Sequence, residues 1–163
     1  MNEQKMLADA IHTATYAHHG QYDKGGHPYI LHALAVMYNV RSHNYDITTQ
    51  CIAVLHDVLE DTSVTEEKLR ELGMSEEVIE GLRLMNHADG VDYFDYISNM
   101  KNNIRVLRVK RADIEHNFDI RRLKGLREKD HARLTKYSKA YVLVGRLIDS
   151  YESIETFKKE NHL

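Results

Sequence analysis

The stretch AVLHDVLEDT, residues 53–62, sets four ionisable side chains, His56, Asp57, Glu60 and Asp61, among Val54, Leu55, Val58 and Leu59. The spacing predicts a helix, which turns about 100° per residue. With His56 at zero, Glu60 falls at about 40°, Asp57 at about 100° and Asp61 at about 140°; Ile52, Val54, Leu55, Val58 and Leu59 fill the other side. All four polar groups therefore share one arc. The plain reading of such an arc is a solvated amphipathic face. The other reading is a face that holds something, and the rest of the chain decides between them.

Outward from this stretch the pattern stays helical. The only proline is Pro28 and glycines are few, which with the periodicity predicts an all-α protein. A first helix is expected from about Asn2 to His18, and a second from near Tyr29, just after Pro28, to about His43. Asp46 and Thr48 offer caps for a third helix reaching Asp61. Thr65 caps a short helix that Gly73 stops, and Ser75 opens another that ends near His87. Tyr93 to about Met100, residues 104–120 and a long last helix of about 130–159 complete the set. GQYDKGGHP and ADGVD read as loops, and the basic stretch RRLKGLREKD as a link. The 163 residues suit a single domain, 1–163, with one core.

Composition narrows the function classes. A formal net charge of −3 gives no bulk drive toward nucleic acid or an anionic membrane, so neither is expected as a partner. No run of about 18 apolar residues is present, so no membrane span is expected. The charged start, MNEQKMLADAIHT, lacks the long apolar segment of a signal peptide. The one cysteine, Cys51, makes no internal disulfide, which fits a reducing cytoplasm. Eleven histidines are many for this length and direct a search for metal ligands.

That search finds His32 in PYILHAL, one turn into the helix that follows the glycine-rich loop. It finds Asp113 in KRADIEHN, with Lys110 and Asn117 within about 60° of it on the same helix and Arg105, Arg108, Arg111 and Glu115 mostly opposite. His32, His56, Asp57 and Asp113 together offer two nitrogen and two oxygen ligands. Such a set suits a divalent metal of intermediate hardness, with positions left for water and substrate.

Here the sequence resembles the HD-domain metal phosphohydrolases, in particular the hydrolase domain of the RelA/SpoT group and its small stand-alone relatives. The matching segments are AHHGQYDKGGHPYILHALAV, AVLHDVLEDT followed by VTEEKLRELG, YFDYISNMKNN, and RVKRADIEHNFDIRRL, over residues 5–145 or so. The resemblance implies an HD-domain helical bundle holding one divalent metal, often manganese, at His32, His56, Asp57 and Asp113. It implies that Glu60 and Asp61 work beside the metal on the water nucleophile, that Lys24 contacts phosphate and that Asn117 contacts substrate. The implied reaction on a small-molecule nucleotide is removal of pyrophosphate from the 3′ position of guanosine tetraphosphate or pentaphosphate. The physics agrees, since a bound metal acidifies water and polarises phosphoryl oxygens, and a nearby carboxylate orients that water or takes its proton.

Other residues are weighed against plainer roles. Tyr29 suits core packing or a site wall equally. His18, His19, His27 and His116 are expected to be structural or to support ligands, because four ligands account for one metal. The basic stretch Arg121 to Lys129 reads as surface. The substrate loop departs from the family's pattern: Asp23 stands where the relatives carry an arginine against the guanine, Gly25 for a serine and His27 for a glutamate, and Ile114 replaces a usual basic residue. Hydrolysis of a phosphate ester or anhydride is therefore better supported than one particular substrate. The alternatives are a nucleotidase or pyrophosphatase for another nucleotide, or a non-catalytic nucleotide-binding module, which would have no need of Glu60 and Asp61.

Overall fold

Polar caps open most of the helices. Asn2, Asp46, Thr65, Ser75, Asp92 and Asn103 each accept a main-chain N–H of the turn that follows, which satisfies donors a helix start leaves unpaired. A computed structural model describes residues 2–122 and 125–161. Of the basic stretch Arg121 to Lys129, Leu123 and Lys124 lie outside the described residues.

In chain order the helices are α1 (Glu3–Ala17), α2 (Ile30–Ser42), α3 (Ile47–Leu55), α4 (Val58–Asp61), α5 (Glu66–Glu71), α6 (Glu76–Met85), α7 (Tyr93–Ser98), α8 (Ile104–Phe118), a 3₁₀ turn (Ile120–Arg122) and α9 (Glu128–Glu160). Among the described residues extended pairing is limited to one antiparallel bridge, Tyr22 with Pro28. The all-α expectation holds, and apart from the third helix the helix ends lie within a few residues of those predicted. No described helix is long and apolar enough to cross a membrane.

The core forms around α3, whose residues from Thr49 to Leu55 are all buried. Helices α1, α2, α6 and α8 pack against it, and α9 lies along α8 and α7. A helix enclosed on every side must be apolar all round, as ITTQCIAVL nearly is. Gly81 lets α6 approach closely, since a Cβ there would lie 2.5 Å from Cδ1 of the buried Ile52.

One expectation is corrected. The third helix does not run unbroken to Asp61: α3 stops at Leu55, Asp57 adopts φ −102° and ψ 0°, and α4 restarts at Val58. The simple wheel drawn through residues 53–62 therefore does not describe the segment. The bend turns Glu60 and Asp61 outward, where both are exposed, while His56 stays buried.

Candidate metal centre and active site

Two helices and one bend bring the predicted ligands together. His32 comes from the first turn of α2, His56 and Asp57 from the bend after α3, and Asp113 from the third turn of α8. His32, His56 and Asp113 each offer a ligand atom, all within 4.8 Å of one another. Nε2 of His32 and Nε2 of His56 are 3.2 Å apart, and Oδ1 of Asp113 lies 3.3 Å and 3.7 Å from them. Asp57 closes the group from one side, its Oδ2 2.8 Å from Nε2 of His56 and 3.7 Å from Nε2 of His32.

These separations fit a metal. Ligands about 2.1 Å from an ion stand about 3.0 Å apart at right angles and about 3.4 Å apart in a tetrahedron. The imidazole of His56 is oriented as a ligand should be. Its Nδ1–H donates to the Ala53 carbonyl at 2.8 Å, leaving Nε2 toward the cluster. Burial works against charge on His56, but Asp57 and Asp113 outweigh it and hold the imidazole well above its ordinary range. Asp113 is held well below the carboxylate range, its burial offset first by the Lys110 ammonium. The field that draws a proton to His56 equally favours a divalent cation in the proton's stead.

Around the ligands lies a supporting ring. Lys110 Nζ donates to Oδ2 of Asp113 at 2.9 Å and sits over the faces of Tyr93 and Tyr96. Asn117 donates to Oδ1 of Asp113 at 2.6 Å. The amide assigned to substrate by resemblance thus supports a ligand here, although Asn117 also lines the cavity. The Tyr29 hydroxyl donates to Oδ2 of Asp57, which places Tyr29 in the wall of the site as well as in its packing. His116 meets His32, Nδ1 to Nδ1, at 2.6 Å. His18 binds Oε1 of Gln21 at 2.7 Å, and Gln21 donates to the Asp61 carbonyl, so the loop before α2 is tied to the end of α4.

His32, Asp57 and Asp113 line a cavity of about 480 Å³, a size that takes a small-molecule ligand, with His56 buried behind them. Glu60, Asp61, Lys24, Arg133 and Tyr137 also line it. Glu60 accepts the main-chain N–H of His87 at 3.2 Å. Burial, then for Glu60 that hydrogen bond in opposition, and the charge of Asp57 set the balance for both carboxyls, which lie above their ordinary values and so are suited to accept protons. Arg133 and Tyr137 were not singled out from the sequence. The available signal was their spacing, since i and i+4 on α9 share a face; which face meets the cavity depends on how α9 packs.

Asp23, which replaces the relatives' arginine, is engaged with its own loop. Its Oδ1 accepts the main-chain N–H of Gly25 at 2.8 Å and of His27 at 2.9 Å, and its own N–H donates to the His27 carbonyl at 2.8 Å. Gly26, at φ +85°, closes the turn. The Asp-x-Gly spacing is the mark of such a side-chain-closed turn. Asp23 therefore shapes the loop that carries Lys24.

Comparison with known proteins places this geometry among relatives. The family profile described as HD domain matches residues 10–138. A guanosine-3′,5′-bis(diphosphate) 3′-pyrophosphohydrolase of Haemophilus influenzae is 36% identical over 130 residues, covering 74% of this chain and 19% of that protein. The bifunctional (p)ppGpp synthase/hydrolase SpoT of Escherichia coli K12 is 34% identical over 142 residues, covering 81% of this chain and 20% of that protein. The chain thus spans about a fifth of the length of these curated relatives. A solved structure described as a metazoan ortholog of SpoT that hydrolyzes ppGpp superposes with a TM-score of 0.70 over 97% of both chains at 20% identity, a likeness of fold.

Proposed function

Because this chain belongs to the HD-domain family, we propose that it is a metal-dependent phosphohydrolase that removes pyrophosphate from the 3′ position of guanosine tetraphosphate or pentaphosphate. The observation that carries the reading is the grouping of His32, His56 and Asp113, with Asp57 against both histidines, beside a cavity that Glu60, Asp61 and Lys24 also line. The names of the relatives supply the substrate.

His32, His56, Asp57 and Asp113 would hold one divalent ion; the mixed nitrogen and oxygen set suits an ion of intermediate hardness, and the resemblance to the HD-domain hydrolases favours manganese. Bound there, it supplies Lewis acidity toward a phosphoryl oxygen and acidifies water. The chain's own residues do the rest. Glu60 or Asp61 takes the proton of the attacking water, as its raised proton affinity suits it to do. Lys24 and Arg133, both lining the cavity, bind the anionic groups of the nucleotide. Lys110 and Asn117 keep Asp113 aimed, and Tyr29 does the same for Asp57. The buried, unpaired thiol of Cys51 is in keeping with a reducing cytoplasm.

A second reading, hydrolysis of a different nucleotide, draws on Asp23. Its carboxylate is engaged with loop amides, and no guanidinium stands at that position to stack on guanine. One experiment separates the readings: incubation with manganese and a panel of nucleotides, products resolved by chromatography, with His56→Ala as control. Release of pyrophosphate from guanosine tetraphosphate supports the first reading. Turnover confined to other nucleotides supports the second.

A further inference from the structure

The contact between His32 and His116 admits a proton count. Two ring nitrogens 2.6 Å apart share a hydrogen bond, so one of them carries the proton and the other accepts it. The atom of His32 facing His56 and Asp113 is Nε2. If Nε2 is to ligate a cation it must present a lone pair, and a neutral imidazole then carries its proton on Nδ1. That proton points at Nδ1 of His116, which must be the acceptor. The opposite arrangement, His116 donating to His32, would put the His32 proton on Nε2, in the space a cation needs.

The two ligand histidines are thus aimed by different means. His56 donates to a main-chain carbonyl, an acceptor no side-chain substitution removes. His32 donates to a side chain on α8, one turn beyond Asp113, so one helix carries both a ligand and the acceptor that orients another ligand. The rings of His32 and His116 lie 4.8 Å apart, tilted by 33°, so the contact is edge-directed hydrogen bonding and not a parallel stack.

We infer that His116 is a positioning residue whose Nδ1, acting as acceptor, selects the tautomer of His32 that can bind a metal. The inference rests on the assignment of His32 as a ligand. Removing such a partner of a ligand histidine lowers metal affinity by roughly 10–100-fold.

The test measures zinc affinity of the whole chain by competition with a chromophoric chelator, a readout independent of turnover. In asparagine, Oδ1 stands where Nδ1 of histidine stands, so His116→Asn keeps the acceptor; His116→Phe keeps a ring and loses it. The expected result is affinity within about threefold of wild type for the asparagine variant and a loss of roughly 10–100-fold for phenylalanine. A simple packing role predicts the reverse order, and that order, or a phenylalanine variant that binds as wild type does, overturns the inference. Nitrogen-15 NMR of zinc-loaded wild type decides the matter even if a variant fails to fold: a proton on Nδ1 of His32 supports the inference, and a bare Nδ1 overturns it. Should His32→Ala bind zinc as tightly as wild type, the ligand assignment falls and the inference with it, whereas tight binding lost in His32→Ala but kept in His116→Phe removes the inference alone.

Discussion

Tyr29 donates its hydroxyl to Oδ2 of Asp57, the same oxygen that stands 2.8 Å from Nε2 of His56. Burial, and after it the Asp57 charge, push the Tyr29 hydroxyl well above its ordinary range, so it remains a donor. Tyr29→Phe keeps the ring beside His18 and leaves Asp57 without that bond. The expected outcome is a loss of about 1 kcal/mol in stability by denaturant titration and roughly tenfold weaker manganese binding by calorimetry. Unchanged affinity would show that Asp57 is held in place by its other neighbours.

Loading with manganese should stabilise the protein by mass action, by about 2.7 kcal/mol when free metal is a hundred times its dissociation constant. His56→Ala should lose both that gain and the bound ion. Thermal unfolding with and without manganese, paired with elemental analysis, checks the four-residue site; equal metal in the two proteins would refute it.

Glu60→Gln and Asp61→Asn should keep the metal and lose most turnover, on the order of 10²–10⁴-fold for the residue that takes the proton. Both carboxyls line the cavity, yet neither belongs to the converging ligand atoms. Wild-type rates in both variants would exclude them from the chemistry.

Asp23 gives a test that separates loop shape from base reading. Asp23→Asn retains an acceptor for the N–H groups of Gly25 and His27 and should behave much as wild type. Asp23→Ala frees the loop that carries Lys24, and KM should rise severalfold while the ratio of rates on guanosine and adenosine 3′-pyrophosphates stays constant. Asp23→Arg should raise the guanine preference if a guanidinium can still stack there. A ratio that collapses in the alanine variant would mean that Asp23 reads the base directly.

Acid stability follows from Asp46, which caps α3. Its burial is outweighed by hydrogen bonds from Thr49, at 2.7 Å from the main-chain N–H and 2.6 Å from the hydroxyl, and by Arg105 at 2.9 Å, so its carboxyl lies below the ordinary 3.8. A carboxyl lowered by folding contributes stability above its unfolded pKa and loses it as pH falls through the folded value. Asp46→Ala should cost about 1 kcal/mol at neutral pH. Melting curves should show the gap to wild type narrowing as pH falls below 3.8. A gap that widens in acid would reverse the sign.

The all-α class, the helix starts at Asp46, Thr65 and Ser75, and the candidate ligands His32, His56 and Asp113 that the fold groups together were all legible along the chain. Caps and apolar periodicity are local, and a histidine or carboxylate declares its ligand chemistry wherever it stands. Other features depend on approach between distant segments and emerge only on folding. The bend at His56–Asp57 lies at the end of α3, which four other helices enclose, a setting no window along residues 53–62 contains. Arg133 and Tyr137 reach the cavity because of the way α9 lies along α7 and α8. His116 meets His32 across 84 positions of chain, and Tyr29 meets Asp57 across 28. Asp23 marks the boundary between the two kinds of knowledge: its turn is written locally in DKGG, but only the folded loop reveals that the carboxylate accepts the main-chain N–H groups of Gly25 and His27. Hydrogen bonds need partners within about 3 Å, and for side chains far apart in sequence packing alone decides which partners those are.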